Sequence, residues 1–274
     1  MNLATVYRVC PVCTSPAPIK QFEKDGFDMV RCGTCGLVFV GQEPNLIDFN
    51  ALYDEAYYSG GSDAVFADYV GQQAARRAHA RRKLALLRTL PPRIARQGRL
   101  LDVGCAAGFF LAEAQAHYDV QGVELSAWSS AFARDRLKLP VHTGTLQSAA
   151  LPAVHFDVIT LWDVIEHVPD PVPLLTEAAR VLKPNGRLVL TTGDWGSAYA
   201  RARGANWHLM TPPWHLSMFS RATLARAAAA AGLRVLATRS EGVAGDGWLW
   251  RNRAALLASR LLGWGDIMRL TLVK

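Results

Sequence analysis

The sequence lacks the features that mark membrane-spanning and secreted proteins. Its 274 residues contain no run of about 18 uninterrupted apolar residues, the length of a membrane-spanning helix. The first ten residues, MNLATVYRVC, are too polar for the apolar segment of a secretion signal and are interrupted by Arg8. Half of the residues are nevertheless hydrophobic, enough to bury a large core. We therefore expect a soluble, cytoplasmic protein with one large domain and one small module.

Acidic residues are scarce in the last quarter of the chain. Lys and Arg outnumber Asp and Glu by 30 to 23 overall, but the ratio is 13 to 9 in residues 1–100, 6 to 11 in 101–200 and 11 to 3 in 201–274. A basic flank can bind nucleic acid, an anionic lipid surface or a phosphorylated substrate. It can equally be a solvated face that keeps the protein soluble, and charge alone leaves these alternatives open.

Cysteine is also rare, and four of the five cysteines are concentrated near the amino terminus. They form two Cys-x-x-Cys pairs, Cys10 with Cys13 and Cys32 with Cys35, separated by 18 residues. Two such pairs provide the four thiolates of a closed tetrahedral zinc site, which has no open position for water or substrate. The pattern predicts a structural zinc ribbon over residues 1–41, and the absence of a secretion signal argues against disulfides. The spacing does not tell whether the ribbon binds a partner or braces a neighbouring domain.

Residues 42–92 have the composition of a linker loop followed by a helix that packs on the core. The aromatic and acidic loop YDEAYYSGGSD precedes a helical pattern from about Val65 to Leu90, and Pro91-Pro92 ends it. One side of this helix is rich in leucine and the other is basic. A solvated helix face explains the charges more simply than a nucleic-acid contact. The basic residues are Arg76, Arg77, Arg81, Arg82 and Lys83.

Strand and helix patterns alternate from residue 99 onward. Apolar runs compatible with buried strands begin at residues 99, 119, 140, 156 and 186, and helical patterns separate several of them. Ser126 and Ser220 are placed as helix N-caps. The runs LRVLATR and DIMRLTLV supply two final strands. Alternating βα units predict an α/β fold with a doubly wound parallel sheet over residues 93–274.

The first strand pattern ends in a turn of small residues. In LLDVGCAAG (100–108), Asp102 lies near the strand end, and Gly104 and Gly108 flank a turn into a helix. The turn departs from Gly-x-Gly-x-x-Gly and is by itself weak evidence for one nucleotide. Glu124 ends the second strand 20 residues after Gly104, where a carboxylate can accept both hydroxyls of a ribose. Together they predict a site for a nucleoside with free 2′ and 3′ hydroxyls.

Four segments resemble the class I S-adenosylmethionine-dependent methyltransferases. They are LLDVGCAAG (100–108), GVELS (122–126), FDVITLWDVIEHVPDP (156–171) and ARVLKPNGRLVLTT (179–192), in the family's order and spacing. The resemblance covers about residues 95–240, and GDIMRLTLVK resembles the family's closing antiparallel strand. It implies a Rossmann-like seven-stranded sheet and S-adenosylmethionine as cofactor. The sequence is similar to family members that have an amino-terminal zinc ribbon and methylate small molecules such as sugars.

The resemblance also implies a set of cofactor-binding residues. The turn would face the methionine and ribose portions, the adenine would lie near Thr145 and Leu146, and Trp162 with Asp163 would lie beside the methionine. GTLQSA lacks the Asp that usually reads the adenine amino group, and Ala106 replaces a frequent Gly. Tyrosines of the preceding loop would either close over the cofactor or pack the ribbon against the core. The implied residues are Asp102, Gly104, Cys105, Ala106, Gly108, Glu124, Leu125, Thr145, Leu146, Trp162, Asp163, Tyr57 and Tyr58.

Histidines are the candidates for accepting a proton from the methyl acceptor. Methyl transfer is an in-line displacement, so the protein aligns the nucleophile and, for an alcohol or acidic carbon, removes a proton. His167, in DVIEHV, follows the fourth strand, and His215, in MTPPWHLSMFS, belongs to a segment resembling the family's substrate-side loop. His208 is a third candidate, and each could instead only bond a neighbouring loop. Cys105 is expected to be a small buried side chain rather than a reactive thiol.

Residues 243–264 form a predicted helical insertion before the last strand. Its Arg253 and Arg260 share a face with leucines, which fits a helix lining an acceptor pocket better than one on lipid. The favoured function is methylation of a small, anionic acceptor such as a nucleotide-linked sugar. An RNA methyltransferase, in which the ribbon and the basic helix hold a phosphate backbone, is an alternative. However, DVIEHV (163–168) lacks the Asn/Asp-Pro-Pro-aromatic motif of enzymes that methylate exocyclic base nitrogens. A catalytically silent, cofactor-binding interaction module is the other.

Overall fold

The chain folds into two compact units. A computed structural model describes residues 7–44, 48, 52–53, 58, 69–87, 98–242 and 265–274. One unit comprises Met1–Ile47, Asp163–Thr176 and Leu190–Val273, and the other comprises Asp48–Trp162, Glu177–Val189 and Lys274. Several predicted features lie outside the described residues, namely Tyr57, Gly60-Gly61, Pro91-Pro92 and the insertion 243–264.

Eleven strands and six α-helices are present in the described part of the chain. The strands are β1 (Ile19–Lys24), β2 (Phe27–Arg31), β3 (Val38–Val40), β4 (Arg99–Val103), β5 (Asp119–Glu124), β6 (Val141–Thr143), β7 (Phe156–Trp162), β8 (Leu182–Gly193), β9 (Ser217–Met218), β10 (Arg234–Gly242) and β11 (Ile267–Val273). The helices are α1 (Gln73–Leu87), α2 (Phe109–Ala114), α3 (Ala127–Leu137), α4 (Pro171–Val181), α5 (Ala198–Arg203) and α6 (Arg221–Ala230), with a 3-10 turn at Gly204–Asn206. None of these helices is long and apolar enough to cross a membrane.

The larger sheet confirms the predicted fold class. Its seven strands have the order β10-β11-β8-β7-β4-β5-β6. Strand β4 is parallel to β5 and β7, and β5 is parallel to β6, as βα crossovers require. The last strand, β11, is antiparallel to β10. Strand β8 begins at Leu182, four residues before the predicted start.

The smaller sheet is antiparallel and has the order β1-β2-β3-β9. Strands β1 and β2 are joined by Asp25-Gly26, whose φ angles of 49° and 81° match a tight hairpin turn. The fourth strand, β9, is distant in sequence and pairs with β3 through Val38–Met218 and Phe39–Ser217. The sheet is therefore not confined to the amino-terminal ribbon.

The predicted helix caps are confirmed. The Ser126 hydroxyl accepts a hydrogen bond from the backbone N–H of Ser129 at 3.3 Å, which begins α3. Ser220 and Thr223 form a reciprocal capping box at the start of α6. Helix α2 ends at Ala114.

Helix α1 packs on α2 and the larger sheet through its apolar side. Ala80, Leu84 and Leu87 belong to one buried cluster with residues of β4, α2 and β5. Each buried leucine of such a cluster contributes roughly 1.5–3 kcal/mol relative to an exposed one. This contact places the opposite, basic side of α1 at the edge of the same unit.

Candidate active site

The turn after β4 is tight enough that only small residues fit. Gly104, Ala106 and Gly108 have positive φ angles of 70°, 47° and 80°. The backbone N–H of Gly104 donates to the carbonyl of Val123 at 2.8 Å, which ties the turn to β5. A Cβ on Gly108 would lie 2.7 Å from Leu139 Cδ1, so both conformation and space require glycine there.

The carboxylate of Glu124 is held by two backbone groups. The N–H of Ala106 donates to Oε2 and the N–H of Ser126 donates to Oε1, both at 2.8 Å. The side chain is buried, and burial raises the pKa of Glu124 while these backbone hydrogen bonds lower it. Each oxygen has a further lone pair, so the carboxylate can also accept two ribose hydroxyls. Leu125, the next residue, is half-buried.

Asp102 is a buried carboxyl near the end of β4. It is 2% exposed, and the Thr160 hydroxyl donates to its Oδ1 at 2.6 Å. Burial raises the pKa of Asp102 to about 7, against the hydrogen bond from Thr160 and the charge of Lys83. Asp102 therefore changes its protonation state near neutral pH.

Trp162 is the last residue of β7, and Asp163 follows it. Trp162 packs edge-on against Phe110 with ring centroids 5.5 Å apart, and the Lys83 ammonium lies 4.6 Å from the centre of its indole. Asp163 is exposed, has a φ of 58°, and accepts a hydrogen bond from the Thr191 hydroxyl at 2.8 Å. Lys83 therefore contacts a predicted cofactor residue, although the sequence indicated a solvated face.

The other basic residues of α1 also contact protein groups. Arg77 and Arg81 pair with Glu113 at 3.2 and 3.3 Å. The Arg76 guanidinium stacks on Tyr69, 3.5 Å from the ring centre. Arg82 is exposed, as predicted for the whole face.

Tyr58 is buried in an aromatic cluster. Its ring stacks on Trp128 of α3 with centroids 5.7 Å apart, and it is 5% exposed. This contact joins Tyr58 to helix α3, and Tyr58 remains a predicted cofactor residue. Leu146 is also buried, whereas Thr145 is exposed and its hydroxyl accepts a hydrogen bond from the Ser148 N–H at 3.1 Å. The adenine contact stays a prediction.

Tyr69 is a site residue that sequence reasoning missed. Its ring stacks on Phe109 with centroids 5.9 Å apart. Burial raises the pKa of Tyr69 to about 12; the charge of Arg76 opposes this, and the charges of Glu124 and Asp102 add to it. The phenol is therefore electrostatically coupled to both acids of the candidate cofactor site. No motif includes Tyr69, and it lies within the segment predicted from the sequence as a helix from about Val65.

Cys105 has the properties of a small buried side chain. It is 5% exposed, and a Cβ on Gly122 would lie 2.7 Å from its sulfur. Burial raises the pKa of the Cys105 thiol well above its usual value, and the neighbouring acids raise it further. A thiol held protonated is a poor nucleophile, as expected.

His167 and His215 form a pair in the other unit. Their rings are nearly perpendicular, with centroids 4.6 Å apart. His167 Nδ1 bonds the Trp214 carbonyl at 2.8 Å, and His215 Nδ1 bonds the Leu209 carbonyl at 2.7 Å. A carbonyl oxygen can only accept, so each Nδ1 carries the proton and each neutral ring has its lone pair on Nε2.

Burial keeps both rings neutral. It lowers the pKa of His167 to about 3, assisted by the neighbouring His215. It also lowers the pKa of His215, although the bond to the Leu209 carbonyl opposes the change. The structure thus brings together the two histidines that the sequence named as proton acceptors.

Glu166 completes a cluster with the two histidines. One carboxylate oxygen and one ring nitrogen from each histidine all lie within 4.8 Å of one another. Glu166 is 5% exposed, and its backbone carbonyl accepts the N–H groups of Leu216 and Ser217 at 2.8 and 3.2 Å. His208 has another environment: it faces the buried Asp266 at 3.5 Å.

The amino-terminal ribbon braces this cluster. The Val40 N–H donates to the Leu216 carbonyl at 2.9 Å, next to His215, beside the β3–β9 pairing. The Arg8 guanidinium donates to the Pro169 carbonyl at 2.9 Å, two residues after His167. The ribbon therefore supports both segments that carry the histidines.

The four cysteines of the ribbon converge as the spacing predicts. Cys10 Sγ lies 3.5 Å from Cys35 Sγ, and Cys13 Sγ lies 3.5 Å from Cys32 Sγ. All four sulfurs lie within 4.8 Å of one another, and all are free thiols. Sulfurs on one tetrahedral zinc ion are about 3.8 Å apart, given Zn–S bonds of about 2.3 Å. The four thiols therefore fit a zinc ion.

Known proteins with related sequences and folds are methyltransferases by name. The ubiquinone biosynthesis O-methyltransferase of Aromatoleum aromaticum is 34% identical over 103 residues, which are 34% of this chain and 43% of that protein. The chain thus spans less than half the length of this relative.

Solved structures of similar fold are also described as S-adenosylmethionine-dependent methyltransferases. One from Thermotoga maritima, a possible histamine N-methyltransferase, has a TM-score of 0.55 and 22% identity and covers 75% of this chain and 94% of its own. One from Archaeoglobus fulgidus has a TM-score of 0.55 and 19% identity and covers 83% of this chain and 100% of its own. A family model described as a methyltransferase domain matches residues 73–238, more than half of the chain. The protein therefore belongs to this methyltransferase-domain family.

Proposed function

We propose that the protein is an S-adenosylmethionine-dependent methyltransferase that acts on a small molecule. The observation that carries this proposal is the Glu124 carboxylate, which the Ala106 and Ser126 N–H groups hold at the end of β5. An acid fixed in this way can accept both ribose hydroxyls of a nucleoside. Membership of the methyltransferase-domain family supports the same conclusion.

The cofactor would be held by residues around the turn after β4. The turn from Gly104 to Gly108 has no side chain larger than that of cysteine, so a ligand can approach its backbone closely. Tyr69 and Lys83 interact electrostatically with Asp102, near the start of this turn, and provide one phenol and one cation. S-Adenosylmethionine supplies an activated methyl group when bound. The protein's own task is then to orient the acceptor and to remove its proton.

The acceptor would be a hydroxylated and anionic small molecule, of which a nucleotide-linked sugar is one example. O-methylation is supported by the names of the related ubiquinone biosynthesis O-methyltransferases. An anionic acceptor is supported by the excess of 11 basic over 3 acidic residues in 201–274. When no metal ion is bound to the two histidines, Nε2 of His167 or His215 would accept the acceptor's proton, since each Nδ1 is engaged with a carbonyl.

An RNA substrate is less well supported. The basic side of α1 was the main candidate for a phosphate contact, but Arg77 and Arg81 share Glu113 and Arg76 stacks on Tyr69. These side chains would have to leave protein partners to bind phosphates. We also propose that the four cysteines hold one structural zinc ion, because their thiols fill all four positions of a tetrahedral ion.

Calorimetric titration with S-adenosylmethionine and S-adenosylhomocysteine tests the proposal. We expect saturable binding in the micromolar range, which corresponds to roughly −8 kcal/mol at 1 μM. Glu124→Ala should abolish it, whereas the control Glu177→Ala, which removes an exposed pair with Arg180, should bind normally. Absence of binding by the folded wild-type protein would refute the cofactor assignment. Binding without methyl transfer to any hydroxylated or phosphorylated acceptor would favour the silent module.

A further inference from the structure

We propose that Glu166, His167 and His215 form a binding site for a divalent metal ion, separate from the four-cysteine site. One donor atom from each of these side chains lies within 4.8 Å of the others. Two ligands of an octahedral ion are about 3.0 Å apart when adjacent and about 4.2 Å apart when opposite, given metal–ligand bonds of about 2.1 Å. The three donors are therefore close to the spacing that a shared ion needs.

The hydrogen bonds of the imidazoles are those of metal ligands. A histidine that binds a metal through one nitrogen usually donates the other N–H to a carbonyl or carboxylate, which sets the tautomer and aims the lone pair. His167 does so to the Trp214 carbonyl and His215 to the Leu209 carbonyl. Both carbonyls belong to the backbone, so neither acceptor depends on a flexible side chain. Both Nε2 lone pairs are thereby prepared for a ligand.

Backbone hydrogen bonds connect the two segments that carry the cluster. The Glu166 carbonyl accepts hydrogen bonds from Leu216 and Ser217, which link the two segments that carry the donors. A cavity lined by Glu166 and His215, together with Thr192, Trp207 and Ser217, adjoins the cluster. Three protein donors leave coordination positions vacant on a metal ion, and this cavity has room for about one water molecule as a further ligand.

The donor set indicates the class of ion. Two imidazoles and one carboxylate suit divalent transition metals such as manganese, iron, cobalt, nickel and zinc, whereas magnesium and calcium prefer oxygen donors alone. One carboxylate and two neutral imidazoles carry a net charge of −1, which a divalent ion converts to +1. Such a centre would attract an anionic acceptor and lower the pKa of its hydroxyl, so that the hydroxyl would release its proton to solvent without an imidazole base. This last role rests on the proposed function, whereas metal binding does not.

Manganese titration followed by electron paramagnetic resonance tests the site. Protein with one zinc per chain, verified by elemental analysis, keeps the four-cysteine site filled while Mn²⁺ is added. We expect one bound Mn²⁺ per chain. Its affinity should fall at least tenfold in Glu166→Gln and in His215→Ala and should not change in His142→Ala, a histidine that bonds Ser148 instead. Spin-echo spectra should show nitrogen coupling from imidazole.

Three results would overturn the site. They are the absence of Mn²⁺ and Co²⁺ binding up to millimolar concentrations, unchanged affinity in both cluster variants, and bound Mn²⁺ without nitrogen coupling. The coupling is measured on the wild-type protein, so the test survives variants that fail to fold. Titration of the same sample with S-adenosylmethionine separates the two proposals. Cofactor binding without metal binding refutes only the metal site, and metal binding without cofactor binding refutes only the proposed function.

Discussion

The backbone N–H of Ala106 donates a hydrogen bond to the carboxylate of Glu124 at 2.8 Å, so the acid that ends β5 also holds the turn after β4. The other carboxylate oxygen accepts the N–H of Ser126. Each carboxylate oxygen therefore accepts a hydrogen bond from a backbone N–H group. The NH2 group of an amide can only donate, so it would fit at neither position. We predict that Glu124→Gln weakens cofactor binding at least tenfold and lowers the free energy of unfolding by about 1–3 kcal/mol.

Calorimetry and urea unfolding measure these two effects. Glu124→Ala serves as the comparison, since it removes the acceptors without adding a donor. A Gln variant with the affinity and stability of the wild-type protein would show that the carboxylate does not hold the turn.

The buried carboxyl of Asp102 makes stability depend on pH. Its pKa is about 7 in the folded protein and near 3.8 when unfolded, so between these values the folded state retains a proton that the unfolded chain releases. The contribution of Asp102 to the free energy of unfolding therefore falls as the pH rises from about 4 to 7. Because Asn imitates the protonated acid, Asp102→Asn should gain stability relative to the wild-type protein between pH 5 and pH 8.

Urea unfolding at pH 5 and pH 8 checks this prediction. Asp157→Asn is the matched control: burial raises the pKa of Asp157, but hydrogen bonds from Lys183 and Arg99 outweigh it and lower the pKa. The stabilisation that the ionised Asp157 carboxylate provides, relative to the Asn variant, is fully present at both pH values. It is lost only when the pH falls through the lowered pKa of Asp157. If the stability change caused by Asp102→Asn were the same at pH 5 and pH 8, as expected for Asp157→Asn, this would contradict a raised pKa of Asp102.

Gly108 and Gly26 have nearly the same backbone conformation but different surroundings. Their φ angles are 80° and 81°, yet a Cβ would lie 2.7 Å from Leu139 at Gly108 and would meet nothing within 4 Å at Gly26. Gly26→Ala should lower the free energy of unfolding by roughly 1–2 kcal/mol, which is the cost of alanine in a left-handed conformation. Gly108→Ala should cost about 1–3 kcal/mol more, because it also crowds the core. If both variants lost the same free energy of unfolding, measured by heat or urea, the core around Gly108 would accommodate the added methyl group without strain.

Loss of metal from the ribbon should affect the histidine cluster. Strand β3 pairs with β9 next to His215, and β3 directly follows the second cysteine pair. Cys32→Ser should remove one zinc per chain, measured by elemental analysis, and should shift the NMR signals of His167 and His215. The signal of His142 should not move, because this histidine lies in the other unit. Unchanged signals in zinc-free protein would mean that the ribbon is not needed to brace the cluster.

The histidine pair should display an uncommon tautomer. His167 and His215 both donate from Nδ1 to backbone carbonyls, so their neutral rings must carry the proton there. Nitrogen-15 spectra of histidine-labelled protein at pH 7 should identify two Nδ1–H rings. Finding Nε2–H on either ring would contradict its hydrogen bond and the orientation of its lone pair.

Much of the larger sheet was predictable from local patterns. The Ser126 and Ser220 caps, the small-residue turn and the alternation of apolar runs act over a few residues, so their positions can be read directly from the sequence. The strand boundaries were less accurate. Strand β8 begins at Leu182, before the apolar run that starts at residue 186.

The basic face of α1 shows where sequence reasoning failed. A run of arginines and one lysine on a helix is typical of a solvated surface, yet Arg77 pairs with Glu113 and Lys83 contacts Trp162. Those partners belong to other elements, so no local pattern could identify them. Tyr69 was missed for the same reason, since its coupling to Glu124 and Asp102 arises only after α1 docks.

The sequence by itself determined the four-cysteine site, the βα order and the acid at the end of β5, because each depends on spacing within a short segment or on a repeating pattern. Only the tertiary structure decided that Glu166, His167 and His215 lie together and that β3 pairs with β9 beside them. These contacts join residues far apart in the chain. Their formation depends on how the whole unit packs, which no spacing between neighbouring residues encodes.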